Sequence, residues 1–118
     1  MKKNDFEQKN LFGVCPFYTT QSLLLGKWIL PILNELSSGT KRFNELKRTF
    51  GISHSVLAQQ LKILENEGFI SRKIFPEVPP RVEYSLTDIG KSFQPVLDSI
   101  ENWGKTYIEF LKVRDKVD

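Results

Sequence analysis

Ser55, Gln59, Lys62 and Asn66 recur at intervals of four, three and four residues, a spacing that lines up one side of a helix. Leu57, Leu61 and Leu64 fall on the opposite side. A stripe of small hydroxyl, amide and ammonium groups backed by leucine has hydrogen-bonding chemistry. Gln pairs with adenine, Ser donates to or accepts from several bases, and Lys contacts guanine or phosphate. The other reactive side chains point nowhere comparable. Cys15 and His54 are the only nucleophile and base that could pair, each the sole residue of its type. They belong to separate elements, with no carboxylate suitably placed between them. No glycine-rich phosphate loop is present, and one histidine with one cysteine makes no usual zinc site. The expectation is therefore no catalytic residue, no metal and no cofactor.

Around that stripe the chain is organised as punctuated helices. Ser53 begins the helix with a hydroxyl for its orphan N–H groups, and the expected span is Ser53 to Asn66. Gly51 ends a shorter helix, about Asn44 to Thr49, whose apolar face is Phe43, Leu46 and Phe50. Two helices joined by so short a glycine turn form a helix-turn-helix pattern. Thr40 to Arg42 should be a short extended piece. Upstream, Pro16 to Leu25 suits a helix with proline at its first position, broken at Gly26. A second helix should start near Trp28, with Ile29, Ile32, Leu33 and Leu36 on one face, Pro31 in its first turn and Ser37 to Gly39 as its stop.

After Gly68, the segments 70–75 and 81–86 alternate as strands do, with Val82, Tyr84 and Leu86 on one face and Ile70 and Ile74 opposite them. This is a β-hairpin directly behind the polar helix, the arrangement of a winged helix. Pro76, Pro79 and Pro80 stiffen its tip, so little conformational entropy is lost on contact, and Arg81 supplies a cation for the minor groove. The alternative is an edge hairpin whose prolines block aggregation.

The remainder, Thr87 to Leu111, has an N-cap at Thr87 and helical spacing from Ile89 through Leu111, with Pro95 expected to kink or divide it. Its stripe of Trp103, Tyr107 and Leu111 suits dimerisation through the N- and C-terminal helices, because aromatic anchors dominate buried interfaces. Packing onto the first helix within one chain is the alternative, and the two are compatible.

Bulk properties agree with one small domain. The chain has 118 residues, 40% hydrophobic and 26% charged, with a net charge of +3. That charge suits an anionic partner, and its distribution is more telling: Lys41-Arg42, Lys47-Arg48, Arg72-Lys73 and Arg81 cluster in the middle. A polar arm is expected over 1–14, the domain over 15–112 and a tail over 113–118. A single cysteine and the lack of an apolar leader or membrane span predict a cytoplasmic protein without a membrane partner. The fold expected is mainly α with a small antiparallel β-hairpin (α+β), a winged helix-turn-helix.

At this point the sequence resembles the HxlR-type branch of the MarR-like winged-helix transcriptional regulators. The matching stretches are "CP" at 15–16, "LLGKW" at 24–28, "KRFNEL" at 41–46, "GIS" at 51–53, "VLAQQLKILENEGFISR" at 56–72 and "FPEVPPRVEYSLTDIG" at 75–90. The resemblance covers about residues 15 to 105. Leu25 departs from it, standing where a glycine often precedes "GKW". The resemblance implies a homodimer on double-stranded DNA, with two recognition helices in successive major grooves and half-sites about 10 base pairs apart. It assigns base contact to Ser53, His54, Ser55 and Gln59, phosphate contact to Arg42 and Lys62, and minor-groove or backbone contact to Arg81. In some relatives the cysteine before the proline senses oxidants or electrophiles. Cys15 at a helix N-terminus would be favoured as thiolate by the helix dipole, which makes it a candidate redox sensor and an electrophile or small molecule a candidate effector. A buried, apolar cysteine is the alternative. A winged helix that binds protein instead of DNA is the alternative function.

Overall fold

The computed structural model describes residues 11–116. Most of the expected 1–14 arm, and the last two residues of the expected tail, lie outside the described residues. Helix α1 (Pro16–Leu23) starts with Pro16 at its first position and Cys15 as N-cap. It stops one turn short of Gly26, earlier than the expected Leu25. Gly26 instead serves a close approach: a Cβ there would lie 2.7 Å from Gln60 Oε1 and 2.8 Å from Ile29 Cγ1. Helix α2 (Ile29–Leu36) follows, with Pro31 in its first turn and Ile29, Ile32, Leu33 and Leu36 all buried. The missing N–H of Pro31 falls where no intrahelical bond was due.

Strand β1 (Lys41–Arg42) leads straight into α3 (Phe43–Phe50), and α4 (His54–Asn66) comes three residues later. Gly51 makes that turn at φ 62°, where a side chain would strain the backbone, and its N–H donates to Lys47 O at 2.9 Å. Leu46 of α3 meets Leu57, Leu61 and Leu64 of α4 in one core with the buried side of α2. Each of these side chains is almost wholly removed from water, worth about 1.5–3 kcal/mol apiece.

Strands β2 (Ile70–Phe75) and β3 (Arg81–Leu86) form the hairpin with the boundaries expected. Their register pairs Ile70 with Leu86, Arg72 with Tyr84 and Ile74 with Val82. The sheet has a third member: β1 pairs antiparallel with β3, Lys41 to Tyr84 and Arg42 to Glu83, giving the order β1-β3-β2. The wing is thus fastened to the helix-turn-helix by backbone hydrogen bonds at the very residues that precede α3.

Thr87 closes the sheet. Its hydroxyl donates to Gly68 O at 2.6 Å, while its Oγ1 accepts from Gly90 N–H at 3.2 Å to cap α5 (Asp88–Lys91). Helix α6 (Gln94–Lys116) then begins, so the division falls just before Pro95, which occupies the first turn. At 23 residues the helix is about 35 Å long and runs past Leu111 through Lys116. Only Leu97 of it is buried. Trp103 is 65% exposed, Tyr107 42% and Phe110 52%, and α1 buries no residue either. Intramolecular packing therefore leaves the apolar stripe uncovered. None of the described helices is long and apolar enough to cross a membrane.

Candidate nucleic-acid interface

The polar side of α4 is the surface that the helix-turn-helix presents outward. Leu57, Leu61 and Leu64 are at most 1% exposed, whereas His54, Ser55, Gln59, Lys62 and Asn66 are all exposed. The helical period puts Ser55, Gln59, Lys62 and Asn66 opposite the leucines, which the core has claimed, while His54 at the helix start lies off that stripe. Ser53 is exposed too, but its Oγ accepts from Val56 N–H at 3.2 Å and lies 3.4 Å from Ser55 Oγ. That oxygen caps the helix, and its O–H remains available to donate. His54 packs its ring against Phe43, with centroids 4.6 Å apart, so the first residues of α3 and α4 touch.

Between α4 and the wing runs an open groove of about 790 Å³, lined by Arg48 of α3, His54 and Ala58 of α4, and Pro79, Pro80 and Arg81 of the wing. The first two turns of α4, through His54 and Ala58, and the proline tip therefore flank one channel, while Ser55, Gln59, Lys62 and Asn66 lie outside its lining. Tyr84 forms part of its floor, and burial pushes the phenol upward from its ordinary range, opposed by the Arg72 guanidinium and reinforced by Glu65. The hydroxyl stays protonated at neutral pH.

The cations divide into two sets. Arg42 lies 4.0 Å from Glu83 through Nε, and its backbone N–H donates to Glu45 Oε1 at 2.7 Å. Arginine offers no acceptor for the return bond, so only half of a capping box forms. Arg81 is held by Glu77 and by Glu83, the latter at 3.0 Å, with its guanidinium carbon 3.9 Å from the centre of the Phe75 ring. Arg72 pairs with Glu65 at 3.6 Å. Lys47, Arg48, Lys62 and Lys73 form no ion pair with another described residue. The sequence reading, which gave Arg42 to phosphate and Arg81 to the minor groove or backbone, did not foresee these carboxylates. Alternation along a strand could have found one of them, since Arg81 and Glu83 are two residues apart and share a face.

Cys15 is partly buried at the start of α1, with no cap hydrogen bond from its side chain. Trp103 and Tyr107 stack on α6 with ring centroids 5.3 Å apart, Tyr107 continues to Phe110 at 5.5 Å, and Leu111 is half-buried beyond them. Among the described residues no three His, Cys, Asp or Glu side chains group to hold a metal ion.

This architecture recurs in proteins already solved. A MarR-family protein from Porphyromonas gingivalis W83 is 42% identical and superposes with a TM-score of 0.74, over 78% of this chain and 91% of that one. The redox regulator HypR in its reduced form is 34% identical with a TM-score of 0.77, over 83% of this chain and 98% of its own. In sequence, the uncharacterized HTH-type transcriptional regulator YdeP of Bacillus subtilis strain 168 is 39% identical over 108 residues, 91% of this chain and 80% of YdeP. The HxlR-like helix-turn-helix family matches residues 23–112, from the end of α1 to the late turns of α6. On that match, with the winged sheet and the helix-turn-helix in place, the chain belongs to the HxlR-like helix-turn-helix family of transcriptional regulators.

Proposed function

We propose that this regulator binds double-stranded DNA as a cytoplasmic homodimer, with α4 in the major groove and the 76–80 tip at the flanking minor groove. The observation that carries the reading is the exposure of Ser55, Gln59 and Lys62 on the side of α4 opposite three buried leucines, on a helix whose His54 and Ala58 line a groove shared with the wing. Ser53, His54, Ser55 and Gln59 contact base edges, and Arg42 and Lys62 contact phosphate. Lys47, Arg48 and Lys73 add charge to the same duplex, since no carboxylate among the described residues neutralises them. Arg81 acts at the wing, on the backbone or in the minor groove. The dimer forms through α1 and α6, burying Trp103, Tyr107 and Leu111 against a second copy. The protein is not an enzyme.

Cys15 is the signal receiver in this reading, supported by the likeness to HypR, which is described as a redox regulator. Being alone in the sequence, it reacts with an electrophile or forms a disulfide with a thiol from another molecule, its copy in the dimer included. Selection of duplexes from a random pool by the purified protein tests the DNA reading. Enrichment of two related half-sites about 10 base pairs apart is expected. A pool that stays random after repeated rounds contradicts it and favours a winged helix that docks on protein.

A further inference from the structure

The outer face of the sheet gathers cations from all three strands around one carboxylate. Glu83 stands on the central strand; Arg42 of β1 and Lys73 of β2 are its register partners on either side. Arg81 and Glu83 share that face by alternation, as do Phe75 and Lys73. Glu83 Oε2 accepts from Arg81 Nε at 3.0 Å and lies 4.0 Å from Arg42 Nε. On its other side Arg81 is held by Glu77 and stacked over Phe75. Arg42 immediately precedes α3, and Arg81 is the first residue of the strand leaving the proline tip. One carboxylate therefore ties the entry of the helix-turn-helix to the base of the wing.

We propose that Glu83 is a positioning residue for sequence-specific DNA binding: it holds Arg81 and the wing tip in the geometry that lets wing and α4 engage their grooves together. The inference rests on the DNA-binding reading. Two effects of Glu83 oppose each other. As a negative charge on a surface that meets phosphate it lowers the local positive potential, and removing it would tighten binding to any duplex. As a clamp it restricts an arginine whose free side chain samples many rotamers, so Arg81 and the stiff tip lose less conformational entropy on binding. Only correctly spaced grooves benefit from the second effect, whereas the first is indifferent to sequence. The ion pair is largely shielded from solvent, with Arg81 and Glu83 side chains 25% and 24% exposed, so it is not merely a screened surface pair.

Glu83→Gln separates the two. The probes are a duplex selected by the wild-type protein and a shuffled duplex of the same composition, titrated at two salt concentrations. Affinity for the selected duplex should fall by at least about five-fold, roughly 1 kcal/mol, while affinity for the shuffled duplex holds or rises. In the free protein, backbone amide exchange across 75–82 should accelerate while the 54–66 helix keeps its protection. Glu83→Asp should recover part of the specific affinity. Equal tightening on both duplexes, or no change in either affinity or tip exchange, overturns the proposal while leaving the DNA reading intact. If selection by the wild-type protein enriches no duplex at all, both readings end.

Discussion

Arg72, the third residue of β2, reaches back to Glu65 in the last turn of α4, Nε to Oε1 at 3.6 Å. The wing strand is thereby tied to the recognition helix on the side away from the Glu83 network. The pair stands beside Tyr84, whose ring lies 6.5 Å from that of Phe43, so helix, sheet and turn meet at one seam. An element held at both margins moves as part of the body that carries it. In the proposed complex, that rigidity would let α4 and the proline tip address two grooves at a fixed distance.

Gln59→Ala tests the base-reading face. Gln59 is exposed and packs into no core, so thermal stability should change by less than about 0.5 kcal/mol. Affinity for a selected duplex should drop by about 1–3 kcal/mol with little change on shuffled DNA. Competition titration with both duplexes measures this. Equal losses on the two would reassign Gln59 to the backbone.

Much of this was legible in the sequence, and the parts that were not share a cause. The spacing of Leu57, Leu61 and Leu64, the stop at Gly68 and the alternation of 81–86 gave α4 and the hairpin nearly to the residue, because local periodicity and glycine placement are local facts. The third strand was harder. Lys41 and Arg42 are too few to show alternation, and their pairing with Tyr84 and Glu83 joins residues about forty apart. The carboxylate beside Arg42 depends on that same pairing, whereas Arg81 meets Glu77 and Glu83 within its own stretch of chain. The close approach of Gln60 from α4 to Gly26 is again a tertiary contact.

Leu61→Ala should cost about 2–5 kcal/mol, because Leu61 is 1% exposed within the cluster that joins α2, α3 and α4. Ser53→Ala should cost about 1 kcal/mol through loss of the cap to Val56 N–H. Denaturant unfolding compares the two. A larger loss for the serine would mean that the cap, and not the leucine seam, holds α4 in place.

Trp103→Ala combined with Tyr107→Ala should dissociate the dimer. The stacked pair is largely exposed in one chain, and aromatic anchors of this kind carry about 2 kcal/mol or more apiece at buried interfaces. Sedimentation equilibrium should find twice the chain mass for the wild type and a concentration-dependent shift to monomer for the variant. Unchanged mass would place the interface elsewhere.

Cys15→Ser should leave DNA affinity under reducing conditions within a factor of about two, since Cys15 makes no cap hydrogen bond that the substitution would remove. It should abolish any change in affinity produced by a thiol oxidant or a quinone. A response that survives in a chain with no cysteine left would exclude thiol sensing.

The most direct test of the central claim is the salt dependence of binding to a selected duplex. If the surface of α4, the wing and the unpaired lysines meets DNA, the logarithm of the affinity should fall linearly with the logarithm of salt concentration, by about 0.9 per phosphate neutralised, and Lys62→Ala should reduce that slope by about one. A slope near zero, unchanged in Lys62→Ala, would contradict the account.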